Sequence, residues 1–146
     1  MPTLAPLAAL NRAIRDNDVA EVTRQLSSEP GLRAVECTAA ASRWEWQLDE
    51  GRLINPFGFL RGGYVSVFAD ALMSSAIGAL LSDGELATTA EMKVAFLRPA
   101  TPGLLRGEAR VVHKGSRVAF LEAQIRDGKD QLLATVTSTW TVIRSG

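Results

Sequence analysis

Cysteine and histidine are nearly absent from this sequence, which contains one of each among 146 residues. The single cysteine, Cys37, has no partner for a disulfide within the chain. One histidine and one cysteine are too few for a metal site built from these ligands, and we predict no metal. His113 is expected at the surface, at a strand end. No Gly-x-Ser-x-Gly motif and no Gly-rich nucleotide-binding loop occur, so a serine triad and a nucleotide site of that kind are disfavoured.

An excess of either charge is also missing, because 16 Lys and Arg residues balance 16 Asp and Glu residues. No broad positive field is expected, so neither nucleic acid nor a membrane surface is a predicted partner. No signal peptide is evident near the start. The long apolar segment that begins at Tyr64 could span a bilayer by length, but polar residues interrupt it and amphipathic strands follow. We therefore predict a soluble cytoplasmic protein.

The length and the 47% apolar composition suffice for one compact domain. Residues 1–32 place Leu and Ile at helical spacing and contain a second helical stretch, 18–26, which Pro30-Gly31 ends. They are predicted to form an N-terminal helical extension. Residues 33–146 are predicted to form the main domain.

Strand-like runs surround one long apolar segment in the main domain. Residues 32–48 read as a strand with Trp44 and Trp46 on one face, and residues 62–81 read as a helix that is apolar on all sides and buried. Four more strands follow, at residues 88–97, 105–113, 117–126 and 132–143. We expect them to form an antiparallel meander that turns at Asp127-Gly128. One sheet and one helix bury each other most simply when the sheet curls around the helix, which is an α+β arrangement.

Short motifs occur along this domain in a specific order. They are Asn55-x-x-Gly58, Arg61-Gly62-Gly63, Asp70, and Phe96-Leu97-Arg98-Pro99-Ala100 followed by Gly103. Together they resemble the hotdog-fold acyl-CoA thioesterases of the phenylacetate-degradation, or PaaI-like, type over residues 33–144. The resemblance implies a curled antiparallel sheet around one long central helix, and hydrolysis of small or medium acyl-CoA to free acid and coenzyme A. It implies no cofactor apart from the coenzyme A of the substrate. It also implies a homodimer or homotetramer with active sites between subunits.

Asp70 needs an explanation, because an ionised carboxylate among apolar side chains is costly unless partners or a function keep it there. Ser66, Asp70 and Ser74 are four residues apart and share one stripe of the predicted helix. The resemblance implies that Asp70 is the general base or the nucleophile of thioester hydrolysis. The alternative is a buried acid that is bonded to neighbouring backbone or to Ser74.

Other residues are expected beside Asp70. Gly62 and Gly63 open the helix, where free N–H groups and the helix dipole favour negative charge, and the resemblance assigns the oxyanion hole to one of them. The alternative is a flexible start of the helix. Asn55 is expected to hold the water or the carbonyl, or else to cap its own loop. The matching positions imply helper hydroxyls at Ser74 and Thr89.

Basic residues are expected to hold the coenzyme A phosphates. They are Arg98 and, in one hairpin, Lys114 and Arg117 with Gly115 and Ser116. The alternative is that these turns are basic only for solubility. Arg61 departs from the family, which usually has His before Gly-Gly, and an arginine stays charged and cannot accept a hydrogen bond. Arg61 could pair with a substrate anion or with Asp70.

Two alternative functions use the same fold. The first is a non-catalytic module that binds or senses acyl-CoA without hydrolysing it. The presence of Arg61 in place of the usual His is the reason to consider it. An enoyl-CoA hydratase is the other alternative, although no histidine lies near Asp70 in the sequence.

Overall fold

The computed structural model describes residues 4–38, 40–49 and 51–144, with side chains from residue 8 onward. The elements are α1 (Leu4–Arg15), α2 (Val19–Leu26), β1 (Leu32–Thr38), β2 (Ala41–Leu48), α3 (Gly62–Gly78), β3 (Glu85–Phe96), β4 (Gly103–Lys114), β5 (Val118–Asp127) and β6 (Leu132–Arg144). Within these ranges the strands form one antiparallel sheet in the order β1-β2-β4-β5-β6-β3. No helix in the described ranges is long and apolar enough to cross a bilayer.

The sheet curls around α3. This helix contacts β1 and β2 near one edge of the sheet, β4 and β5 in the middle, and β3 at the other edge. A flat sheet could not touch one helix with both of its edges. The predicted hotdog fold, with an N-terminal helical segment, is therefore confirmed.

Two details of the predicted strand order are wrong. The run 32–48 forms two strands, because the chain reverses between β1 and β2, where Ala40 has a φ of 66°. The four later strands are not one meander, since β3 lies beside β6 and not beside β4. The helix α3 crosses the concave face and delivers the chain to the far edge before the meander β4-β5-β6 begins. Alternation along a strand identifies its faces but not its neighbours.

The core between α3 and the sheet has a polar clamp. Trp44 and Trp46 share one face of β2, as predicted, and the structure places both in the core. The indole N–H of Trp44 donates to Ser75 Oγ at 2.8 Å, and this hydroxyl donates to the carbonyl of Ala71 at 3.1 Å. The indole is therefore satisfied without water.

Gly107 sets the spacing between α3 and the centre of the sheet. A Cβ at this position would lie 2.5 Å from Leu72 Cδ1 and 2.9 Å from Phe68 Cζ. The absence of a side chain therefore lets the helix settle directly on β4.

The N-terminal helices protect one edge of the sheet. The backbone N–H of Ala34 donates to Thr23 Oγ1 at 2.8 Å, and that of Cys37 donates to Asn17 Oδ1 at 2.7 Å. These bonds occupy amides of β1 that a further strand would need. The opposite edge strand, β3, has no strand on its outer side in the described part of the chain.

We predict that Ser75→Ala lowers the free energy of unfolding by about 1–3 kcal/mol, because it leaves the buried indole N–H of Trp44 unpaired. Urea unfolding followed by fluorescence measures the change. Ser74→Ala is the matched control, since Ser74 is half-buried and makes no side-chain hydrogen bond in the described residues; its effect should stay within about 0.5 kcal/mol. Equal losses in both variants would contradict the role of the clamp.

Candidate active site

One stripe of α3 is left uncovered. Its buried residues face the sheet, whereas Asp70 is exposed and Ser66 and Ser74 are half-buried. The expectation of a helix buried on all sides is therefore wrong for a single chain. The reason is geometrical, because one curled sheet covers only one side of a helix, and in the described residues α1 covers the other side only toward the end of α3, at Gly78. The structure does place these three polar residues together on the uncovered stripe.

Asp70 has one hydrogen-bond partner among the described residues. Thr89 Oγ1, on β3, donates to Asp70 Oδ1 at 3.1 Å. Partial burial raises the pKa of Asp70 above the ordinary value for an aspartate, and the bond from Thr89 opposes this by lowering the pKa. Ser74, the other expected helper, forms no hydrogen bond with the carboxylate in the described residues.

A β-bulge aims Thr89 at Asp70. The pairing of β3 with β6 shifts between Thr89 and Glu91, so Thr89 is opposite Trp140 while Met92 is opposite Ser138. Trp140 and Ser138 point to the same face of β6, so Thr89 and Met92 share the inner face of β3. Strict alternation of side chains along the strand would place Thr89 and Met92 on opposite faces. It fails here because the bulge inserts one extra residue, so that the side chains after it point to the opposite face from the one that alternation predicts.

The start of α3 presents backbone amides to an open region. Arg61 is the N-cap and makes no side-chain capping bond, so the first N–H groups have no helical partner. A Cβ at Gly63 would meet nothing within 4 Å, whereas one at Gly62 would lie 3.2 Å from Phe96 Cζ. Asp70 is eight residues further along, which is about 12 Å on the helix axis. One chain therefore does not bring the carboxylate and these amides to the same atom.

Asn55 caps its own loop. Its Oδ1 accepts from the N–H of Phe57 at 2.9 Å and of Phe59 at 3.1 Å. The side-chain oxygen of Asn55 therefore has the loop-capping role that was the alternative. Only its side-chain N–H groups are left to donate to a ligand. Asn55 lies beside Gly62 on the wall of a cavity.

That cavity has a volume of about 370 Å³ and opens at the start of α3. Its exposed lining residues are mostly apolar and are Phe59, Gly62, Phe96, Leu97, Arg98 and Pro99, and Asn55 is half-buried. Its deep wall is formed by buried apolar side chains, namely Leu60, Val65, Phe68, Leu105, Ile125 and Leu133. We call it the helix-start cavity. The sequence predicts these residues as core, and of the six only Phe68 is also a candidate for an acyl pocket.

The expected phosphate-binding residues lie at two separate places. Arg61 and Arg98, near the helix-start cavity, are exposed, and neither forms an ion pair within the described residues. The hairpin that contains Lys114 and Arg117 is nine or more residues along β4 and its turn from Leu105, which lines the cavity. That separation is about 30 Å in a strand. One chain does not bring the two groups together.

Part of the hairpin is already engaged. Lys114 Nζ lies 3.8 Å from Glu85 Oε2, and its side chain is 18% exposed. The N–H of Gly115 donates to the carbonyl of Val118 at 2.8 Å, so this glycine does not offer the free donor that we expected. Arg117 and Ser116 are exposed and are the residues of this hairpin that are left for a ligand.

A larger depression, about 550 Å³, lies on the outer face of the sheet, away from Asp70 and the start of α3. Four of its five charged side chains pair with each other, Arg43 with Glu36 and Arg110 with Glu122. None of the predicted catalytic residues is among its lining residues. We therefore locate the candidate site at the helix-start cavity and the uncovered stripe.

Comparisons with known proteins agree on one family. The family model of the Thioesterase superfamily matches residues 57–134. The proofreading thioesterase EntH of Klebsiella pneumoniae is 29% identical over 129 residues, which cover 88% of either chain. The 1,4-dihydroxy-2-naphthoyl-CoA hydrolase of Escherichia coli is 32% identical over 95 residues, 64% of this chain and 69% of that one. A solved structure of a phenylacetic acid degradation-related protein from Ralstonia eutropha superposes with a TM-score of 0.71 at 29% identity, covering 90% of this chain and 98% of that one.

We predict that Thr89→Val raises the pKa of Asp70 further. The bond from Thr89 stabilises the ionised carboxylate, so its loss favours the protonated form and moves the titration to higher pH. The 13C resonance of the Asp70 carboxyl, followed against pH, measures the midpoint. Thr137→Val, on the exposed outer face of β6, is the control and should leave the midpoint unchanged. A lower midpoint in Thr89→Val would contradict the assigned role of the bond.

Proposed function

This chain belongs to the thioesterase superfamily and is a thioester hydrolase of the PaaI-like type, and we propose that it hydrolyses small or medium acyl-CoA to free acid and coenzyme A. The observation that carries the proposal is the Asp70 carboxylate, which Thr89 holds on an uncovered helix stripe about 12 Å from the free amides at the start of the same helix. Two of the relatives are named as a thioesterase and a CoA hydrolase, which supports this substrate class.

The proposed site needs two chains. The open edge of β3 and the uncovered stripe of α3 are adjacent, since Thr89 on β3 contacts Asp70 on α3. An exposed edge strand readily pairs with another strand. Two copies joined antiparallel through β3 would place their α3 helices antiparallel as well. If those helices cross near Ser66, Asp70 of one copy lies opposite Gly62 of the other, and the two-fold symmetry creates two such sites.

In this arrangement the carboxylate and the amides act on one thioester. The amides of Gly62 and Gly63, helped by the Asn55 amide, would stabilise the negative oxygen that forms on the carbonyl. Asp70 of the other subunit would take a proton from water as the water oxygen bonds to the carbonyl carbon. The C–S bond then breaks, and the thiolate of coenzyme A takes up a proton. Direct attack by the carboxylate, with a transient anhydride that water opens, is the alternative route.

Antiparallel pairing of the two β3 strands also suggests where coenzyme A would lie. Lys114 is next to Glu85, at the start of β3, whereas Phe96, at its end, contacts the start of α3. Antiparallel pairing of two β3 strands brings the start of one strand toward the end of the other. The hairpin with Arg117 would therefore approach the helix-start cavity of the second subunit. There Arg117 and Arg98 would supply charge for the phosphates.

We predict that Asp70→Asn keeps the fold and the oligomeric state but lowers kcat at least a hundredfold, since the amide can neither accept the proton nor attack. Thiol release from acyl-CoA measures the rate, and light scattering measures the mass of the assembly. Asp130→Asn removes an exposed carboxylate from a loop residue with φ of 64°. Asparagine tolerates that conformation, so this control should retain activity. A near-normal rate for Asp70→Asn would refute the proposed role.

We predict that Arg117→Ala raises KM for acyl-CoA about tenfold and lowers kcat less. The loss corresponds to one charged hydrogen bond of about 1.5 kcal/mol to a part of the substrate that does not react. Steady-state kinetics with one acyl-CoA measures both constants. Arg33→Ala is the control, because Arg33 pairs with Glu45 near the protected edge of the sheet. If KM were unchanged in Arg117→Ala, the hairpin would not hold coenzyme A.

A further inference from the structure

The helix-start cavity has backbone walls that offer few hydrogen bonds to a bound molecule. The N–H of Leu60 donates to the carbonyl of Ala100 at 2.8 Å, and the N–H groups of Leu97 and Arg98 donate to the carbonyl of Leu133 at 2.8 and 3.1 Å. All five residues line the cavity. These three N–H groups and two carbonyls are therefore occupied within the chain.

The side chains around the cavity are apolar with two exceptions. These are Asn55, which is half-buried, and Arg98, which is exposed. Leu105 and Ile125, in the interior, are each 1% exposed. A group that reaches the buried interior past Gly62 therefore meets no hydrogen-bond donor or acceptor from a side chain there.

We propose that this cavity receives the acyl group of the substrate and selects unsubstituted apolar acyl groups over hydroxylated or carboxylated ones. The inference rests on the proposed function, which places the thioester carbonyl at Gly62 and Gly63. A hydroxyl group on the distal part of the acyl group would lose its water without gaining a partner, and a carboxylate would lose far more. Selection by an apolar pocket is limited in size, typically tenfold to a few hundredfold against one added hydroxyl group.

Paired substrates of equal carbon skeleton test the proposal on the intact wild-type protein. The first pair is phenylacetyl-CoA and 4-hydroxyphenylacetyl-CoA, and the second is hexanoyl-CoA and adipoyl-CoA. We expect kcat/KM to be at least tenfold higher for the unsubstituted member of each pair. Equal values, or a preference for the substituted member, would overturn the proposed selectivity while leaving acyl-CoA hydrolysis intact. No hydrolysis of any of the four would instead refute the proposed function, and this inference with it.

A variant tests whether this cavity is the origin of the selectivity. Ala134 is 2% exposed and lines the cavity, and Ala134→Ser would add a hydroxyl group to its apolar wall. We expect the ratio of kcat/KM within the phenylacetyl pair to fall at least threefold. Ala119→Ser, an equally buried change outside the cavity, should keep the wild-type ratio. A ratio does not depend on the fraction of folded enzyme, so it remains valid if a variant is less stable. The same ratio in all three proteins would overturn the assignment of the acyl group to this cavity.

Discussion

A single curled sheet can bury only one side of the helix that it surrounds, and the features of this protein that matter for chemistry follow from this constraint. The inner side of α3 is closed by the sheet, with Ser75 and Trp44 bonded to each other across the contact. The outer side keeps Asp70 in the open, next to the unpaired strand β3. The reactive candidate and the surface available to a second copy are therefore the same region. In the proposed assembly, the second copy covers the exposed stripe of α3 and also supplies the missing half of the active site.

Opposing influences act on the Asp70 carboxylate. Partial burial makes it a stronger base, and the bond from Thr89 weakens that effect while fixing the orientation of the side chain. A bulge in β3 is needed for this contact, and Ser138 supports the bulge through a bond of 2.7 Å to the carbonyl of Glu91. The bulge in β3 thus helps to orient the Asp70 carboxylate. Regular pairing would turn Thr89 to the outer face.

Periodicity and motif order were enough to predict the curled sheet, the long helix from Gly62, the shared face of Trp44 and Trp46, and the family. Asp70 and Thr89 were also predicted as parts of one site, and the structure places them in contact. The position of β3 beside β6 was missed because alternation carries no information on neighbours. The exposed state of Asp70 was missed because apolar composition does not tell which layer covers a helix. The cavity was missed because Leu105 and Ile125 look like any other core residues in a sequence.

The protected edge of the sheet has a consequence for how copies of this chain can associate. A sheet with two bare edges can add chains at both ends and grow into a ribbon of unlimited length. Here Thr23 and Asn17 already occupy two of the amides on the β1 side, which leaves β3 as the open edge in the described part of the chain. In the proposed assembly, edge pairing between identical copies then stops at two. The N-terminal helices and the turn between them would therefore prevent edge-to-edge growth, so that the proposed self-association gives a closed dimer and not a fibre.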